Sequence, residues 1–257
     1  MTDCTAAKQG PEGHAKDRQG MTLHAEWTKL RSSPEVPWLL LAVVATTVAV
    51  SLTTSALAPA GDGADPVRVS LTGIQLGQAV AAVFAILTIG GEYGTGMIRT
   101  TLAAMPRRTA VLAAKATVVA GAVLVAGAIA VPASLLFSPL PLGDGPVLRA
   151  AAGSVLYLAL IALLGLGLGT AVRNPTVAAG LLLGLLYVVP LLISALADPD
   201  WRRHLEQITP TSAGLAIQAT TGLDALAIGP WQGLGVLAAW AAGALLIGGL
   251  LLHFRDA

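Results

Sequence analysis

Six long apolar runs decide what this chain can become. They lie near residues 37–57, 70–90, 110–132, 150–172, 176–197 and 231–253. A helix rises 1.5 Å per residue, so each run can cross a hydrocarbon core of about 30 Å. Lipid offers no hydrogen-bond partner to an open strand, so the spans must be helical. The expected fold is all-α and integral to the membrane, with six transmembrane helices. Only 11% of the 257 residues are charged and 55% are hydrophobic. A soluble domain carries about 25% charge, so this surface needs lipid around it. Trp38 and Trp231 open the first and last spans, where indoles suit the headgroup belt.

The first 36 residues are polar. Ala56-Leu57-Ala58 resembles a signal-peptidase site, but the run before it is longer than the roughly 7–15 residues of a signal core. An uncleaved first span is preferred. Residues 1–21 carry Gly10, Pro11, Gly13 and Gly20 without periodicity, as in a disordered tail. Residues 22–31 differ: Leu23, Trp27 and Leu30 share one helical face, predicting an interfacial helix with Trp27 at headgroup depth. With the N-terminus inside, eleven Lys and Arg fall in inner segments. Four (Arg68, Arg149, Arg202 and Arg203) fall outside. The positive-inside rule therefore places both termini in the cytoplasm.

Several function classes are disfavoured. The net charge of +1 gives no global field for nucleic acid. One cysteine, Cys4, and four scattered histidines show no metal-ligand spacing. No P-loop, H-E-x-x-H or Ser/His/Asp set is present, so neither ATP binding by that loop nor hydrolytic chemistry is expected. Gly165-Leu166-Gly167-Leu168-Gly169 lies inside a span and reads as helix packing, as does Gly180-x-x-x-Gly184. Pro190 removes one backbone bond and should kink the fifth span. Gln75 and Gln78 share one face of the second; they serve either contact between helices or the lining of a pathway. Residues 198–230 read as two short pieces lying against or dipping into the outer leaflet.

The charges that remain gather in residues 91–115, between the second and third spans. Ile98, Leu102 and Met105 recur at i, i+4 and i+7, predicting a short amphipathic helix over 97–105. Gly94 and Gly96 loosen the chain before it, Thr95 can cap it, and Pro106 ends it. Arg107 and Arg108 mark the edge of the third span, and Lys115 is expected to snorkel toward the cytoplasm. Glu92, the one acid here, is expected to pair with Arg99, Arg108 or a basic group on a partner. Residue chemistry alone leaves two readings open: a basic loop that sets orientation, or a docking element.

The chain resembles an ABC type-2 transporter permease, a membrane subunit of bacterial export systems. Glu26-Trp27-Thr28-Lys29-Leu30-Arg31 is similar to the helix that precedes the first span in such proteins. Glu92-Tyr93, Gly96, Arg99, Leu102, Pro106, Arg108 and Lys115 are spaced as in the family's loop between spans two and three. The resemblance covers about residues 22–257 and leaves 1–21 without a counterpart. It implies a connecting helix at 22–31 and a coupling helix at 97–105. Glu92, Tyr93, Ile98, Arg99, Leu102, Met105, Pro106 and Arg108 would form the coupling loop. Spans two and five would line the route between the two permease copies, with Gln75, Gln78, Tyr187 and Pro190 as lining candidates. It further implies a bacterial cell membrane, a second permease copy (identical or related), surrounding lipid, and a separate ATPase subunit. ATP and Mg would sit on that ATPase, leaving no cofactor and no enzymatic step in this chain. A secondary carrier or scaffold working without an ATPase is the alternative. No span carries a clear midplane acid, and this disfavours an ion-coupled carrier. The transported molecule is not legible.

Overall fold

The computed structural model describes residue 28 and residues 35–57, 65–94, 108–136 and 144–254. All regular elements among them are helices. In order they are α1 (Glu35–Leu57), α2 (Pro66–Ser70), α3 (Ile74–Gly94), α4 (Arg108–Leu135), α5 (Gly145–Val172) and α6 (Pro175–Leu183). A π-helical segment (Gly184–Val188) then leads into α7 (Val189–Ser194), α8 (Pro199–Ile208), α9 (Pro210–Leu215) and α10 (Pro230–Phe254). Short 3-10 turns at Ala216–Gln218 and Leu223–Ala225 complete the segment before α10. Six helical stretches are long and apolar enough to cross a membrane, with α6, the π segment and α7 counting as one. The chain is a multi-pass membrane protein.

Span boundaries moved where polar residues proved tolerable inside a helix. The second span starts at Ile74 rather than 70, because α2 and a turn over 71–73 use the first part of that apolar run. It extends to Gly94 and so takes in Glu92 and Tyr93. The fourth starts at Gly145 and takes in Arg149. The fifth is interrupted by the π segment just ahead of Pro190. Proline has no N–H to offer the carbonyl four residues back, and a π turn is one way for a helix to absorb that missing bond.

Helix α5 is the centre. Tyr157, Leu158, Ile161 and Leu166 on it are fully buried with Phe84 and Ile86 of α3. α3, α4 and α10 pack around α5, α1 closes over α3 and α4, and α6 lies against α3 and α5. Close approach explains the glycine run in α5. A Cβ on Gly167 would sit 2.5 Å from the Ala244 carbonyl carbon of α10, and one on Gly165 would sit 2.9 Å from the Ala82 oxygen of α3. The packing reading therefore holds for that run. It fails within this chain for Gly180 and Gly184, which meet nothing within 4 Å. Small residues permit contact only where a second helix arrives, and here none does.

One end of the bundle carries residues 65–73 and 195–229, here named the cap end. The other carries the end of α3, the start of α4 and the junction 173–175, the loop end. The segment before α10 forms four short pieces rather than two, and it folds back on the bundle. A Cβ on Gly214 would meet the Tyr157 ring at 2.6 Å, and one on Gly153 would meet Ile217 at 2.0 Å. The Trp240 indole N–H donates to the Ile208 carbonyl at 2.8 Å. Trp38 and Trp231 are well exposed at their helix starts, as anchors at a membrane interface would be.

Candidate functional site

At the cap end a cavity of about 500 Å³ opens between α3, the interrupted span and the returning segment. Gln75 and Gln78 reach it from α3, and Tyr187 and Pro190 from the opposite wall. All four lining candidates thus meet in one place, within a single copy of the chain. The two amides differ in role. Gln78 is 1% exposed and accepts a hydrogen bond from the Tyr157 hydroxyl through Oε1. Gln75 is exposed, and its backbone carbonyl accepts from the Tyr187 hydroxyl. The hydroxyl contact across the cavity therefore joins α3 to the π segment. Ser194, Thr211 and Ser212 add further hydroxyls, Leu186, Leu191, Leu215 and Ile228 add apolar surface, and Arg68 and Glu206 bring the charges.

The wall behind the cavity is fastened at its rim. Asp65 caps α2, accepting from the Val67 and Arg68 amides at 3.1 and 3.3 Å. It also accepts from the Thr220 hydroxyl at 2.7 Å, the Thr221 amide at 3.1 Å and the Thr220 amide. Partial burial works against its charge, yet the Thr220, Thr221 and Arg68 donors outweigh it and hold the carboxyl below its ordinary value. Arg149 Nη2 donates to the Ala219 carbonyl at 2.6 Å, and Gln207 Nε2 to Ala227 at 2.7 Å.

The loop end holds a second polar group. Lys115 Nζ lies 3.0 Å from Glu92 Oε1, with the residues 3% and 7% exposed. This overturns one expectation and adds a pairing. Lys115 does not snorkel, because a carboxylate waits inside the bundle. Glu92 takes Lys115 as a partner across the helix pair, a pairing that the sequence reading did not include. Beside it the Arg173 guanidinium stands 5.6 Å from the centre of the Tyr93 ring, and the Tyr93 hydroxyl lies 3.5 Å from the Thr170 carbonyl. Arg173 adopts the left-handed conformation (φ 60°) that ends α5, with its N–H on Gly169. Asn174 then caps α6 by accepting from the Val177 amide at 3.1 Å. A Cβ on Gly90 would meet Pro175 at 2.7 Å, so the start of α6 sits directly on α3.

The predicted connecting and coupling helices lie outside the described residues, and with them Leu23, Trp27, Leu30, Ile98, Arg99, Leu102, Met105 and Pro106. Thr28 alone of the first is described; it is helical and exposed. Arg108 opens α4. Sequence reasoning did not single out Tyr157, Arg68, Glu206, Asp65 or Thr220. A usable signal existed for Tyr157. The chain has three tyrosines, two of which, Tyr157 and Tyr187, lie inside apolar runs, and a buried phenol needs a hydrogen-bond partner. No family model and no curated protein matches this chain.

Proposed function

We propose that this chain is the permease subunit of an ATP-driven exporter in a bacterial cell membrane. It works with a separate ATPase subunit and a second permease copy. The observation that carries this reading is the double role of α3. One end of that helix presents Gln75 and Gln78 to the cavity; the other is clamped to α4 by Glu92 and Lys115. A helix of 21 residues is a rod of about 30 Å. Residues 95–107 join its clamped end to α4. A push on that loop from an ATPase therefore reaches α3 and α4 together, and through Tyr93 and Gly90 it reaches α5 and α6.

In this reading the loop end faces the cytoplasm, and the eleven-to-four basic bias supports that orientation. ATP and Mg belong to the partner, and this chain performs no chemical step. Ile98, Leu102 and Met105 form the apolar face that docks on the ATPase. Gly180 and Gly184 offer a second permease copy a surface that admits close approach.

Co-purification from native membranes tests the reading. Wild type should retain a P-loop ATPase. Leu102→Asp should lose it, because a charge replaces an apolar contact worth about 1.5–3 kcal/mol when buried. Glu92→Gln keeps an acceptor for Lys115 but removes the charge; it should keep the ATPase while vesicle export falls below what its hydrolysis rate supports. Wild-type export by both variants would overturn the coupling role. Export without any ATPase would favour a secondary carrier.

A further inference from the structure

The cavity's charges narrow what it can hold. Arg68 and Glu206 are its two ionisable wall residues, apart from the tyrosine phenol, and they come from different elements, α2 and α8. Among the described residues neither side chain is in an ion pair; the pair found there is Glu92 with Lys115. A simple anion would be drawn to Arg68 and repelled by Glu206, and a simple cation the reverse. A molecule carrying one charge of each sign can satisfy both at once. The surface between them is mixed: amides and a phenol from Gln75, Gln78 and Tyr187, against the apolar Leu186, Pro190 and Leu191. A volume of about 500 Å³ lies within the range of small-molecule sites.

We propose that this cavity binds zwitterionic amphiphiles, in which one anionic and one cationic group are attached to an apolar body. Arg68 takes the anionic group by charge-assisted hydrogen bonds and Glu206 takes the cationic one. The apolar body lies against the leucines of the interrupted span. That such molecules are the exporter's cargo rests on the transport reading; that they bind here does not.

Three fluorescent probes with one body test this. Nε-dansyl-lysine is zwitterionic, its methyl ester is cationic and its Nα-acetyl derivative is anionic. Binding is measured to the purified full-length chain in uncharged maltoside micelles, with empty micelles as blank. At about pH 6 the free amine and carboxylate are both charged. Dansyl-lysine should bind about tenfold or more tighter than either analogue. Arg68→Gln should abolish its advantage over the ester, and Glu206→Gln its advantage over the acetyl form. Both positions are at least partly exposed, and an unchanged thermal unfolding curve confirms that the variants fold. Equal affinities for the three probes, or an order that neither variant alters, would overturn the proposal. ATPase co-purification keeps the two readings apart. In the wild type, equal probe affinities with the ATPase retained would remove the site alone, and the expected probe order without an ATPase would remove the transport reading alone.

Discussion

A lysine ammonium enclosed by helices is tolerable only with an anion beside it. Lys115 has Glu92 at 3.0 Å. Removing one member of a buried pair strands the other, at a cost of about 3–5 kcal/mol. Lys115→Met should therefore lower the thermal midpoint markedly. Glu92→Leu combined with Lys115→Met should recover most of that loss, since apolar replacement of a whole buried pair is often neutral. A double variant no better than Lys115→Met would mean that the loss does not come from a stranded Glu92 charge. Asp65 makes a different prediction. Its folded pKa lies below the ordinary value of 3.8. Its stabilising contribution is thus present above that value and lost as pH falls through the lower folded one. Amides at 220 and 221 should exchange faster across that acid range, and Asp65→Asn should remove the pH dependence. The sequence marked Lys115, Gln75 and Gln78 as polar groups inside apolar runs and put Glu92 in the loop beyond one; the structure buries Glu92, Lys115 and Gln78. What the sequence hid was the pairing. Glu92 and Lys115 are 23 residues apart and Tyr157 is 79 from Gln78, and neither distance has a local signature.

At the scale of elements, apolar run length located all six spans because lipid leaves a helix no alternative. Boundaries were less legible. Asp65 and Pro66 announce a helix start, yet the apolar run around them shows no break where α2 turns into α3. The glycines separate two kinds of small-residue surface. Gly167→Ala would drive a methyl group into the backbone of α10 and should cost about 1–3 kcal/mol in thermal unfolding. Gly180→Ala touches nothing within this chain and should leave its unfolding unchanged. Gly180→Leu should nevertheless reduce cross-linking between copies, if that face meets a second permease. Unchanged cross-linking would move the contact to another face.

For the molecule as a whole, the proposed orientation carries a prediction for Cys4, which it puts on the cytoplasmic side. It is the sole cysteine, so a membrane-impermeant maleimide should label the protein only after cells are broken. Labelling of intact cells would invert the topology and place the cavity on the wrong side for export. The ion pair between α3 and α4 also bears on how the chain is made. A lone Lys115 entering lipid with the third span would be a charge without a partner, which the bilayer penalises. Its counter-charge is supplied by the span synthesised just before it, across a connection of thirteen residues, 95–107. Releasing these two spans into the bilayer as one hairpin, with the charges already neutralised, would remove that penalty.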